Sequence, residues 1–370
     1  MKFKTAYSTK PEIPEIVKEL KNGLENMDIK ALLYFSSTAY DPALLSEQIQ
    51  DAFPGVDTFG CTTAGEIITG KMLENSVVAM AFSKEAVKDL KIEVLENISD
   101  DEQAVDKAFK NFGDYFGVPM IDIDYKKHIG IVLTDGMSGS EEKVMERIGD
   151  LTNVSFIGGS AGDDLKFDKT FVFANGKAYT NASVLALLKP ETEFNILKTQ
   201  SFKPSNKTLT VTKSNEKKRQ VLEFNNKPAA KAYAEALNVP ENELPDKVFK
   251  NPIGLMDPNN QPYVRSPRLV ENDSIYFYCS IMEGMELHLL NSTNIIEDTQ
   301  KALKEKEKEM GGITAIINFH CILRTLDLKE QNKTKEYGEI FKNIPTIGFS
   351  TYGESYIGHI NQTSTMIIFK

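Results

Sequence analysis

The chain has 370 residues, 41% of them hydrophobic and 26% charged, with a formal net charge of −10. That length exceeds one ordinary core and suits two domains of mixed structure, and the composition is that of a globular protein in water. The negative balance works against nucleic acid and anionic lipid partners, and the Lys-rich stretch 301–308 alternates with Glu, as a solvated helix face does. No apolar run approaches the roughly 20 residues of a spanning helix. Met1-Lys2-Phe3-Lys4-Thr5 lacks the apolar stretch of a leader, so the expected location is the cytoplasm. Cys61, Cys279 and Cys321 match no zinc spacing, and His128, His288, His320 and His359 are scattered singly. Buried reduced thiols and neither metal nor cofactor are expected.

In chain order, Ile13, Ile16, Val17, Leu20 and Leu24 form the stripe of a first helix. A strand-like run at 31–35 leads to Asp41-Pro42, a helix cap and first position, followed by Leu45, Ile49 and Phe53 on one face. An apolar run at 56–59 precedes Gly60-Cys-Thr-Thr-Ala-Gly-Glu66, and a further β-type run covers 77–82. Ala104, Val105, Ala108, Phe109 and Phe112 mark another helix.

The same order then returns. A strand at 129–133 leads to Asp135-Gly136 and Ser138-Gly139-Ser140, with Ser138 and Glu141 at capping-box spacing and Val144, Ile148 and Leu151 on one helix face. A run at 154–157 precedes Gly158-Gly-Ser-Ala-Gly-Asp-Asp164, and a strand follows at 184–188. The polar stretch 203–227, with Leu209, Val211, Val221 and Leu222, reads as a hairpin. A helix begins near Pro228, carrying Ala230, Tyr233, Ala234 and Leu237. Pro240, Pro245, Pro252, Pro258 and Pro262 mark a loop-rich segment with short elements. The third return has a strand at 313–319, a helix bearing Tyr337, Ile340, Phe341 and Ile344, a run at 344–347, Gly348-Phe-Ser-Thr-Tyr-Gly-Glu354, and a strand at 365–369.

The repeating unit is strand, helix, strand, glycine-rich loop, strand. Its first connection is a crossover, so the two strands it joins should be parallel. The fold class is therefore α/β, or α+β, in two domains with mixed sheets. The glycine-rich loops follow the carboxyl ends of parallel strands, where ligand clefts form in such sheets. They can let a ligand approach the backbone closely, or they can make tight turns only. The three loops are expected to come together.

Phe59 to Glu66, Gly158 to Asp164 and Thr170-Phe-Val-Phe-Ala-Asn-Gly176 resemble the FIST N-terminal domain. Lys227-Pro-Ala-Ala-Lys-Ala-Tyr233, Arg265-Ser-Pro, Glu283-Gly, Cys321-Ile-Leu-Arg324, Gly348 to Glu354 and Asn361-Gln-Thr363 resemble the FIST C-terminal domain. The resemblance places domains at 1–226 and 227–370. It implies an intracellular sensory protein of signal transduction that binds a small ligand such as an amino acid. In bacteria such domains are often joined to chemoreceptor, histidine kinase or cyclic-dinucleotide modules. Here the pair fills the chain, so the output is expected to lie in a separate signalling protein.

An amino acid needs a cation or N–H cluster for its carboxylate and acceptors for its ammonium. Arg265 and Arg324 fall in the family-like landmarks and are the cation candidates. Glu66, Asp163, Asp164 and Glu354 are acceptor candidates, each of which could equally cap loop N–H groups. Thr62, Thr63, Gly65, Gly159, Ser160, Gly162, Ser350, Thr351, Tyr352 and Gly353 complete the loop candidates, and Asp135 and Ser138 sit at a helix start able to hold an anion. The rival readings are an enzyme and a protein-interaction adaptor. His320-Cys321 invites a thiol mechanism, but neighbours on a strand point to opposite faces. No phosphate loop, nucleophile elbow or dinucleotide fingerprint occurs. An enzyme is not expected.

Overall fold

A computed structural model describes residues 1–258 and 261–370. The chain forms two compact units. The first comprises Met1–Thr199, Thr299–His359 and Ser364–Lys370, and the second Gln200–Asp298 and Ile360–Thr363.

The first unit holds three six-stranded sheets with one shared strand order. The first sheet runs Phe3–Ser8, Val77–Ser83, Ile29–Ser37, Asp57–Thr63, Val172–Ala174 and Lys177–Tyr179. The second runs Val87–Glu96, Ala182–Pro190, Ile129–Thr134, Phe156–Ser160, Glu354–Tyr356 and His359–Ile360. The third runs Phe194–Gln200, Thr363–Phe369, Ala315–Cys321, Thr346–Thr351, Glu66–Ile68 and Lys71–Leu73. In each, the crossover strands are parallel, as the repeating unit requires, with Ser36 beside Thr62, Thr134 beside Ser160 and His320 beside Ser350. The last two strands of every sheet come from a different copy. The strand after the first glycine loop pairs with the third sheet, that after the second loop with the first sheet, and that after the third loop with the second.

The alternating strand residues explain the layering. Leu33, Phe35, Phe59, Leu133, Ile157, Ile317, Phe319, Ile347 and Phe349 belong to one core shared by all three sheets. Phe35 and Phe349 meet there with ring centroids 4.5 Å apart. The opposite faces carry helices. Ile13–Gly23 and Pro42–Ala52 cover the first sheet, and Ala104–Phe116 and Glu141–Leu151 the second. Asp41 caps its helix as its position before Pro42 suggests, accepting the Leu44 N–H at 2.8 Å.

Two local expectations are corrected. Ser138 and Glu141 form no capping box, because the helix starts at Glu141 with Ser140 as N-cap. Ser138 Oγ instead donates to the Asp135 carbonyl at 2.7 Å and holds the turn before the helix. In the third copy the crossover is not one helix ending near Ile344. Ile322–Glu330 follows the strand directly, and Thr334–Glu339 comes after a break where Asn332 takes positive φ. The first of these escapes periodicity because Arg324 and Thr325 stand on its buried face beside Ile322 and Leu328.

The second unit is an antiparallel sheet built on Phe202–Asn215 and Gln220–Phe224, the expected hairpin, with Val211 opposite Phe224. The helix Ala229–Leu237 packs Ala230, Tyr233 and Ala234 into its core. The Pro-rich segment contributes the short strands Ile253–Met256 and Pro262–Arg265. Among the described residues, no helix is long and apolar enough to cross a membrane.

Candidate functional site

The three glycine loops do come together in the first unit. The N–H of Gly162 donates to the Thr62 carbonyl at 2.9 Å, that of Tyr352 to Ser160 at 3.1 Å, and that of Ala64 to Ser350 at 3.2 Å. A second ring lies beside the first. Thr62 N–H donates to Phe171 at 2.9 Å, Ser160 N–H to Gly353 at 2.8 Å, and Ser350 N–H to Gly65 at 2.8 Å. Each loop thus gives and receives in a cycle. These N–H groups are spent on one another and do not form an anion cradle.

The first glycine of each motif has a packing cause. A Cβ on Gly60 would lie 1.7 Å from the Tyr34 carbonyl oxygen, one on Gly158 1.7 Å from that of Val132, and one on Gly348 2.2 Å from that of Asn318. Gly159 and Gly162 are crowded to a lesser degree, with Cβ positions 2.6 Å from Thr351 Cγ2 and 2.7 Å from the Ala64 nitrogen.

The acids tie the loops. Glu66 is fully buried and accepts from the hydroxyls of Thr63 and Ser76, and from the Ser76 N–H at 3.2 Å. Burial pushes its carboxyl up to about 8 against the pull of these bonds, and Asp164 nearby adds to the rise. Glu354 stands in the equivalent place and accepts from Thr351 Oγ1 at 2.8 Å. Asp164 reaches the first copy, accepting from Ser37 Oγ at 2.8 Å, Thr38 Oγ1 at 2.9 Å and the Thr38 N–H at 3.0 Å. Asp163 accepts the N–H groups of Phe167, Asp168 and Lys169 at 2.9, 2.6 and 3.0 Å, and the Tyr352 hydroxyl. Burial and this carboxylate push the Tyr352 phenol upward. Asp135 accepts from the Met137 N–H at 3.0 Å, the Thr170 hydroxyl and the Asn181 N–H.

Beside Gly65 and Ser350 opens a pocket of about 450 Å³, lined also by Met72, Leu73, Glu74, Thr325, Lys329, Asn332 and Thr334. Thr325 Oγ1 and Ser350 Oγ share a hydrogen bond at 2.8 Å on its wall. Lys329 and Glu74 form an ion pair there, with both side chains partly exposed. Of the sequence candidates only Gly65 and Ser350 line it. The others were missed because the donated hairpin Glu66–Ile68 and Lys71–Leu73 brings Glu74 to a helix far along the chain, and no motif marks that meeting.

The two arginines part. Arg324 is buried in the first unit on the helix Ile322–Glu330, with Nη2 donating to Thr299 Oγ1 at 3.3 Å. Arg265 belongs to the second unit, half-buried, with Nη1 on the Val264 carbonyl at 3.4 Å. His320 is fully buried and neither ring nitrogen has a hydrogen-bond partner among the described residues, so it makes no hydrogen bond to Cys321. All three cysteines are buried, and burial holds the Cys61 thiol well above its usual range.

Residues 30–227 match the FIST N domain, and residues 229–356 match the FIST C domain. The chain is 25% identical over 320 residues to the uncharacterized protein MJ1623 of Methanocaldococcus jannaschii, a stretch covering 80% of this chain and 60% of that protein. It therefore spans less than two thirds of that relative's length.

Proposed function

The chain belongs to the FIST family, and we propose from that premise that it is a sensor for a small zwitterionic molecule of the amino acid class, and not an enzyme. FIST domains are associated with sensory signal transduction. The observation that carries the finer reading is the pocket in which Lys329 and Glu74 oppose one another beside the Thr325–Ser350 hydroxyl pair. A free amino acid presents the two charges that this pair would accept separately: Lys329 takes the carboxylate, and Glu74 takes the ammonium. An ion pair this exposed is worth about 0–1 kcal/mol, so separating it costs little. The hydroxyls supply directional contacts on the wall. Ligand occupancy would then draw together the hairpin of the first copy and the helix of the third. We take the boundary between the two family domains to fall at 226/227, the working location to be the cytoplasm, and the output to be a signalling partner.

A thermal-shift screen of free amino acids tests the reading, since a ligand of the native state alone raises apparent stability by mass action. The responding amino acid should lose its effect in Lys329→Met and in Glu74→Gln. The idea fails if no amino acid shifts the melting transition, or if both folded variants respond as the native chain does.

A further inference from the structure

We propose that the outer face of the third sheet holds a second site, a buried one for a small monoanion, formed by His320, Arg324 and the start of the helix Ile322–Glu330. It shares the Thr325–Ser350 pair with the pocket at Lys329 but stands on the burial and the unpaired ring of His320, which that pocket does not use. His320 is fully buried, and its ring lies 4.5 Å from that of Tyr337. Neither ring nitrogen finds a hydrogen-bond partner among the described residues. A neutral imidazole carries one donor and one acceptor, and leaving both unmet in a sealed place is costly.

The neighbouring hydroxyls are already engaged. Ser364, opposite His320 in the antiparallel register, donates to Asn318 Oδ1 at 2.7 Å. Ser350, its neighbour in the parallel register, is bonded to Thr325. The Tyr337 hydroxyl lies between Asn318 and Ser364. His320 thus stands beside a closed network with both ring nitrogens unpaired among the described residues.

The surroundings favour a negative one. Arg324 stands in the first turn of the helix that begins immediately after this strand, and its buried charge, after burial itself, holds the imidazole well below its usual range. The helix N-cap is Cys321, which makes no side-chain cap. A helix start carries partial positive charge and unmet N–H groups. A guanidinium, an imidazole N–H and a helix start together suit an ion of formate or halide size.

The test uses the full chain, with sodium formate or sodium bromide exchanged for sodium gluconate at constant ionic strength. The expected result is a saturable rise of the melting midpoint, with the His320 ring nitrogen resonances shifting over the same concentration range. A crystal soaked in bromide should show an anomalous peak beside His320. His320→Phe, which removes the donor, should weaken binding at least about tenfold, as loss of one bond to a charged group implies, and His320→Gln, which keeps a donor, should retain more of the affinity than His320→Phe. The proposal is overturned if the His320 resonances stay fixed while both salts are raised, or if the density beside His320 proves to be water without anomalous signal. Those readings need no variant, so a His320→Phe chain that fails to fold leaves the test intact.

Discussion

The Gly162 N–H donates to the Thr62 carbonyl at 2.9 Å, joining the second glycine loop to the first. Equivalent bonds carry the second loop to the third and the third back to the first. A sheet completed by strands from another copy cannot close until that copy has arrived. The three copies of the first unit are therefore expected to depend on one another for stability, and the glycine loops are the joints of that dependence.

Gly158→Ala should be among the most destabilising alanine substitutions in the chain. The new Cβ would sit 1.7 Å from the Val132 carbonyl oxygen, and both atoms belong to paired strands that cannot yield without breaking register. A loss of about 3 kcal/mol or more is expected, in line with other overpacked core sites. Gly149→Ala, where nothing lies within 4 Å, is the control and should be near neutral or stabilising. Urea midpoints for both variants decide it. Equal midpoints would mean the close strand approach is not limiting.

The repeat was legible because its three first glycines answer one steric demand, which leaves the same letter at 60, 158 and 348. The parallel pairs and the stripes at Ile13–Gly23 and Ala104–Phe116 were legible for the same reason: local period mirrors burial. The exchange of hairpins left no trace, since Val172–Ala174 carries no sign that its partner is Asp57–Thr63 and not a strand of its own copy. The first strand of the third copy, Phe194–Gln200, was hidden by the second unit, which separates it from Ala315–Cys321. The pocket depends on both effects, so Lys329 and Glu74 had no motif to announce them.

Asp163→Ala should loosen residues 164–169 without unfolding the unit. Asp164, Leu165 and Phe167 all have positive φ, an unfavourable conformation for residues with a Cβ, and three N–H bonds to the Asp163 carboxylate offset it. Phe167, 53% exposed, stacks on Tyr352 at 4.9 Å and would lose that place. Faster amide exchange and proteolytic nicking confined to this loop are expected, with a stability cost of about 1–3 kcal/mol. Asp163→Asn keeps an acceptor and should recover part of the protection. Protection unchanged in Asp163→Ala would show that the loop is held by packing alone.

Cys321→Ser should lower stability and leave ligand response intact. The thiol is buried at the end of the third central strand, and its neighbour His320 offers it no hydrogen bond. A buried thiol behaves as a small hydrophobe, and a hydroxyl in its place is costly to bury, offset in part where it caps the first N–H groups of the helix that Cys321 begins. A cost of about 1–2 kcal/mol is expected, with the amino acid that shifts the native chain shifting the variant equally. Rapid alkylation of Cys321 in the folded protein, together with a measurable turnover lost in the variant, would instead favour an enzyme.

Burial raises the Glu66 carboxyl to about 8 in the folded chain, against an ordinary value of 4.5. The native state therefore holds a proton that the unfolded chain has released, and stability falls as pH rises from 4.5 to about 8. Below 6.5 this slope is opposed, because His320 and His128 are held below that value in the fold and gain protons on unfolding. The most informative window is pH 6.5 to 8, where histidine protonation in the unfolded chain is falling away and Glu66 still holds its proton in the fold. Across it the first unit should lose roughly 1–2 kcal/mol relative to Glu66→Gln, from at most about 1.36 kcal/mol per unit of pH. Glu66→Gln keeps the acceptor for Ser76 and cannot ionise, so its stability should be level over the same window. Denaturant midpoints at constant m-value measure both. A level native profile, or an equal decline in Glu66→Gln, would mean that the Thr63 and Ser76 bonds hold Glu66 ionised throughout and that its burial is fully offset.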